Sequence, residues 1–292
     1  MSSVAWAPGR ALAAWLSAAA LIVAGSLSPA EAADYKFRAE YRISLNGLKV
    51  GQAKLLGRFD GAQYRLDGSG QLAGLAGAFF DYSGSAAAAG QMRTGGPRPA
   101  AFSADATDGR ESTSVRMTLV NNRVRELELA PPVDEGEAAH PQRVQLTEAD
   151  RRDILDPMSA LISLGGFDGR DFDRSACNRS VPVFNGRERF DVQLEYSGER
   201  TIESPRSGVY SGPGLVCEAR YRAVAGHRAD QDAIRYLEEK VTFEVVLVPV
   251  EGADLLVPYR VGLSTPLGRV VLHATRLVSD GSLPTRSAAL RD

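Results

Sequence analysis

The side chains with chemistry to offer are few: three histidines, two cysteines and a short run of aspartates. A structural zinc site draws its ligands from short local spacings. His140, His227 and His273 lie far apart, and neither a C-x-x-C pair nor a standard Cys/His interval occurs. Asp168, Asp171 and Asp173 present oxygens of the kind calcium takes. Their spacing misses the EF-hand loop, which needs alternating ligands and a glycine at its sixth position, so they read as a solvated loop. Ser69 between Gly68 and Gly70 lacks the strand–turn–helix setting of a nucleophile elbow. Ala73 stands where a dinucleotide fingerprint requires its last glycine. The sequence therefore points to no catalytic residue, no metal and no cofactor, and the chain reads as a non-enzyme.

The cysteines do a different job. Residues 1–33 read as a secretory signal peptide: Arg10 is the charged start, Ala11 to Leu27 the apolar stretch, and Ala30-Glu31-Ala32 the small-x-small cleavage pattern. Cleavage is expected after Ala32 or one residue later, and the destination is the periplasm or the exterior. Disulfides persist there, so Cys177 and Cys217, 40 positions apart, are expected to be bonded, with Cα atoms roughly 4.4–6.8 Å apart. Closing that loop stabilises by about 4 kcal/mol on the chain-entropy account.

Charge excludes other roles. The formal net charge is -2 with signs interspersed, which leaves neither a basic nucleic-acid face nor a polybasic anchor in the linear sequence. Both tryptophans, Trp6 and Trp15, fall in the leader, which weighs against sugar binding by ring stacking. No later stretch reaches 18 apolar residues, so no mature transmembrane helix is expected.

The elements that must position any site are strands. Phe37, Ala39, Tyr41, Ile43 and Leu45 alternate with polar neighbours, the pattern of a half-buried strand. Asn46-Gly47 follows, the strongest short hairpin signal. Strands are expected over Leu48–Phe59 and Tyr64–Gly70, around Ala100–Ala106, and over Ser112–Val120, Arg123–Leu129, Ser180–Phe184 and Glu188–Tyr196. Val241–Val248, Leu255–Leu263 and Arg269–Val278 complete the set. Turn signals recur every 8 to 12 residues or so, as in a sandwich or barrel. One segment departs from this pattern. Ile154, Leu155, Met158, Leu161 and Ile162 recur at helical spacing, which predicts a helix over about Pro157–Leu164 with Pro157 in its first turn. Ala130 to Pro141 reads as an aperiodic loop, and 279–292 as a polar tail.

Leu72 to Phe80 is apolar throughout and rich in glycine, although it connects two strands. Connecting loops normally run polar over the surface. Such a segment is a buried connection, the mouth of a hydrophobic cavity, or a tip that touches a partner or membrane. As cavity lining it would contribute Leu72, Leu75, Phe79, Phe80 and Tyr82, with Met158, Leu161 and Ile162 facing them from the helix.

The segments Arg151 to Leu161, Pro182 to Asp191 and Ala225-Gly226-His227-Arg228, with Tyr35 to Tyr41 and Leu256 to Arg260, resemble an exported proteobacterial family catalogued as domain of unknown function 3108. The resemblance spans the exported portion and implies no catalytic residues, because the family has none assigned. At the level of fold alone, the pattern is similar to periplasmic lipoprotein carriers, open β half-barrels closed by short helices over an apolar cavity. The expected architecture is all-β: one domain over 34–278, a curved antiparallel sheet or open β-barrel with the short helix on its concave face. The expected function is periplasmic binding or carriage of a lipid or other hydrophobic molecule for the cell envelope. A scaffold acting through envelope proteins is the alternative, and a hydrolase ranks third.

Overall fold

The computed structural model describes residues 35–73, 81–109, 111–162, 166–167, 170–204, 208–251 and 255–280. Thirteen strands among them form a single antiparallel sheet. The first seven are β1 (Tyr35–Leu45), β2 (Leu48–Asp60), β3 (Gln63–Ala73), β4 (Asp81–Arg93), β5 (Gly96–Thr107), β6 (Ser112–Val120) and β7 (Arg123–Ala130). The remaining six are β8 (Arg179–Phe184), β9 (Arg189–Ile202), β10 (Gly212–Ala225), β11 (Phe243–Pro249), β12 (Leu256–Thr265) and β13 (Gly268–Asp280). Every strand pairs with its neighbours in the chain except β7 and β8, which stand at the two ends of the sheet, and β1 also pairs with β13. The tight turns follow from residue type: Asn46 and Gly47, and likewise Asn121 and Asn122, all adopt positive φ, as a two-residue hairpin turn demands.

Because β1 and β13 close on each other, the sheet's free edges are β7 and β8. The chain between them crosses that seam. The Ile154 amide donates to the Asn122 carbonyl at the β6–β7 turn (3.1 Å). Its neighbour Leu155 exchanges two bonds with β8, its amide to the Pro182 carbonyl (2.8 Å) and its carbonyl from the Phe184 amide (2.9 Å). The β8–β9 turn in turn reaches back: a Cβ on Gly186 would lie 2.6 Å from Val115 and 3.4 Å from Leu127 and Leu129. The sheet is thus curled with one face inside, unclosed by strand pairing but bridged across the gap. This is the curved antiparallel sheet the alternation predicts.

Three short helices accompany it: α1 (Glu135–Ala138), α2 (Pro157–Leu161) and α3 (Asp232–Lys240). The expected Pro157 helix is present but ends at Leu161, with Ile162 as its cap. Thr147, which with Asp150 three positions on reads in the sequence as a possible N-cap, does not cap it. Asp150 accepts from the Thr147 amide and hydroxyl (2.8 and 2.6 Å) and closes a 3-10 turn over Ala149–Arg151 instead. The aperiodic stretch after β7 also holds a helical turn, α1, and β13 runs to Asp280, two residues into the expected tail. Strand β10, which carries Cys217, and helix α3 have no expected counterpart. Among the described residues no helix is long and apolar enough to cross a membrane.

Candidate functional site

The concave face has a blind end and an open end. At the blind end sits α2, touching β3, β4, β5 and β8. Asp156 starts it: its Oδ1 accepts from the Met158 and Ser159 amides, both at 2.9 Å, satisfying two of the donors a helix start leaves free. Met158 and Ile162 then pack into the same core as Phe37, Leu66, Phe102 and Met117. The fit is tight, since a Cβ on Gly68 would come 2.9 Å from the Met158 methyl. A polar contact crosses this core, between the hydroxyls of Tyr64 on β3 and Ser159 on α2, 2.7 Å apart.

Asp156 and Ser159 are 0% exposed, and Asp156 Oδ2 is buried without a hydrogen-bond partner. Burial pushes the Asp156 carboxyl above the usual carboxylate range, against the lowering effect of the Ser159 side chain and the two amides. The Tyr64 hydroxyl is also raised by burial. A group so enclosed meets no substrate, so this trio anchors the helix.

Among the described residues, the other end of the same face is lined by small residues. Ala53, Gly70, Gly84 and Ala106 stand in register across β2 to β5. Gly68, Ala86 and Ala104 form the next row inward, where Met158 of α2 meets Gly68 and the two alanines pack against the core; all seven are partly buried. A Cβ on Gly70 would meet nothing closer than Ala53 and the Gln52 carbonyl, both at 3.7 Å. The rim is apolar: Ile43 and Leu45 of β1, Leu72 of β3, and Leu263 and Val270 at the β12–β13 turn are partly buried. Inward alternation that is not filled by large side chains leaves apolar space inside a curved sheet. Among the described residues the arrangement leaves a trough with an apolar floor and mouth around Gly70.

Leu72 and Tyr82 face each other across β3 and β4 at this rim, and Tyr82 is 45% exposed. Met158 and Ile162 belong to the blind end as buried core, and Leu161 packs partly buried against the same cluster. The helix residues therefore plug the concave face and do not look onto the rim residues. Leu75, Phe79 and Phe80 lie outside the described residues. The glycine and alanine floor was missed: small side chains carry little hydrophobic signal, and only strand register reveals that they share one face.

The second half of the concave face is filled by the chain before β8. Cys177 and Cys217 are bonded, with Cα atoms 5.4 Å apart. The bond ties the 3-10 turn Arg174–Cys177, capped by Asp173, to β10 over a cluster including Phe172, Val183, Leu215 and Leu247. Asp173 accepts from the Ser175 amide at 2.8 Å, so it serves as a cap; Asp168 lies outside the described residues. His273 on β13 stands edge-on to the Tyr259 ring, away from the Arg143–Arg228 bridge that brings His140 and His227 to one region. Among the described residues no three His, Cys, Asp or Glu side chains group as metal ligands.

Two polar depressions lie elsewhere. One of about 540 Å³ on the convex face contains Arg200, Glu244 and Arg269. Glu244 receives Arg200 (3.3 Å), Arg260 (3.6 Å) and Arg269 (3.9 Å), a solvated ion-pair network in which charge is largely matched. The other, about 300 Å³, follows the seam beside Asn122 and Pro182.

Residues 40–275 match the family described as "Protein of unknown function (DUF3108)". The chain belongs to this family. The match runs from within β1 to within β13 and so takes in the trough, α2 and both cysteines. No curated protein matches the chain. Among solved structures it is similar to a beta-barrel-like protein of domain of unknown function DUF1849 from Brucella abortus. The TM-score is 0.48 at 9% identity, covering 84% of this chain and 98% of that chain.

Proposed function

We propose that this protein is exported and works, without catalysing a reaction, as a carrier that holds a lipid or other hydrophobic molecule in the trough. One observation carries the reading: the floor at the open end is built from glycine and alanine in register, while large side chains and α2 fill the other end. Plain core would place bulky residues at those positions to reach interior packing density. The floor offers no charged or hydrogen-bonding side chain, so the ligand it suits is apolar over the length it buries. The leader pattern and the disulfide support a site of action outside the cytoplasm. Native mass spectrometry of the purified protein, followed by solvent extraction, tests this. A bound lipid released by extraction, and uptake of a fluorescent acyl probe by the stripped protein, are expected. A stripped protein that takes up no acyl probe overturns it.

A further inference from the structure

The mouth of the trough is also where the protein exposes large apolar side chains. Leu48 at the β1–β2 turn is 58% exposed and Leu267 at the β12–β13 turn 71%. These turns lie 221 residues apart from Asn46 to Leu267 yet are locked together, because β1 and β13 are neighbours. The lock is Asn46. Its side-chain amide donates to the Leu267 carbonyl (3.2 Å), its Oδ1 accepts from the Arg269 amide (2.9 Å), and its own amide donates to the Arg269 carbonyl (2.9 Å). Gly268 makes room for it: at φ +127° a Cβ there would overlap the Asn46 side chain. Thr265 fixes the far side, its hydroxyl donating to the Gly268 carbonyl (2.8 Å) and accepting from the Leu267 amide (3.2 Å). The leucines are therefore held out to water on an ordered tip, where a free chain end or slack loop would have let them fold away.

The two hairpins that form this tip carry only cations in their own sequence, although Glu244 of β11 pairs with Arg260 and Arg269 of the second one. The hairpin from 41 to 59 and the hairpin from 255 to 279 contain lysine and arginine but no aspartate or glutamate. Arg42 and Lys49 among them are exposed. The chain as a whole is near neutral, so this is a local concentration made by strand pairing. Of the other exposed large apolar residues, Tyr82 shares the mouth and Val120 stands alone at the opposite end. Exposed leucines beside cations on a rigid edge complement a surface that is anionic outside and apolar beneath.

We propose that the tip formed by the β1–β2 and β12–β13 turns docks on an anionic lipid bilayer, with Leu48 and Leu267 entering its interfacial region. Docking stands on the tip alone; joined to the trough, it would bring the mouth to the membrane from which an apolar ligand leaves or which it enters.

The test uses the full exported chain and sedimentation with vesicles of phosphatidylcholine alone or mixed with phosphatidylglycerol. Binding is expected to the mixed vesicles, to weaken in high salt, and to be far weaker to phosphatidylcholine alone. Leu48→Ser with Leu267→Ser should reduce binding to mixed vesicles by about tenfold or more while circular dichroism and acyl-probe uptake in solution stay unchanged. Lys49→Gln should lower affinity for mixed vesicles more than for neutral ones. Wild-type protein that does not sediment with mixed vesicles overturns the proposal, as does a leucine variant that binds equally well. A dimer in light scattering that the leucine variant dissolves would assign the tip to a second copy and overturn it as well. Vesicle binding without probe uptake would defeat the trough and leave the docking tip intact; uptake without vesicle binding would do the reverse.

Discussion

Tyr64 and Ser159 meet hydroxyl to hydroxyl at 2.7 Å inside the apolar core. This bond joins the sheet to α2, and it depends on a third residue. A Cβ on Gly90 would lie 2.7 Å from the Tyr64 oxygen, so the glycine leaves the ring its position. Removing the Ser159 hydroxyl leaves that of Tyr64 buried and unpaired, which costs about 1–3 kcal/mol, and removing the Tyr64 hydroxyl leaves Ser159 only the Asp156 carboxyl. Tyr64→Phe and Ser159→Ala should each lower the melting temperature by several degrees. The double variant should lose less than the sum, read by thermal denaturation as a mutant cycle.

Asp156 gives the fold a pH dependence of unusual sign. Burial raises its folded-state pKa above the unfolded value, so the folded chain binds the proton more tightly. Its contribution is then most favourable below the ordinary carboxylate pKa of about 3.9. It declines as pH rises from there through the raised folded pKa, and levels off beyond it. Asn at this position keeps an oxygen to cap Met158 and Ser159 but does not titrate. Urea denaturation across pH should show the decline in wild type and its loss in Asp156→Asn, whereas Asp156→Ala should lose about 1 kcal/mol of capping at every pH. A variant slope equal to wild type would refute the assignment.

The bond between Cys177 and Cys217 holds the filler of the β8–β12 half against β10. Thiol titration of the unreduced protein should detect no free thiol. Replacing both cysteines by serine should destabilise by about 4 kcal/mol if loop entropy dominates. Hydrogen exchange should locate the loosening in 170–181, with β1 to β5 protected as before.

Two glycines on the concave face predict opposite outcomes. At Gly57 a Cβ would overlap the Phe37 ring, so Gly57→Ala should destabilise by about 1–3 kcal/mol through overpacking. At Gly70 the nearest atoms are 3.7 Å away, so Gly70→Phe should fold near wild-type stability and occupy the trough. Acyl-probe uptake should fall by about tenfold or more in Gly70→Phe, since the ring takes the space of several methylenes. Undiminished uptake would place the ligand elsewhere.

The alternation from Phe37 to Leu45 and the Asn-Gly and Asn-Asn turns are local signals, and the strands and hairpins they mark form as written. The start of α2 is equally local, since Asp156-Pro157 combines a side-chain acceptor with a preset φ. Its early end is not local: Ile162 belongs to the barrel core, and packing there overrides the remaining helical spacing. Strand β4 is mostly glycine, alanine and serine, residues with weak strand preference, and becomes a strand because β3 and β5 pair with both its edges. The sequence by itself thus determined the class, the meander and the cysteine pair. Only the tertiary structure decided which small residues share a floor, and only the pairing of β1 with β13 set Leu48 beside Leu267 and two acid-free hairpins side by side. The second relation spans more than two hundred positions, and no periodicity of 2 or 3.6 residues reports a contact made by the closing of a sheet.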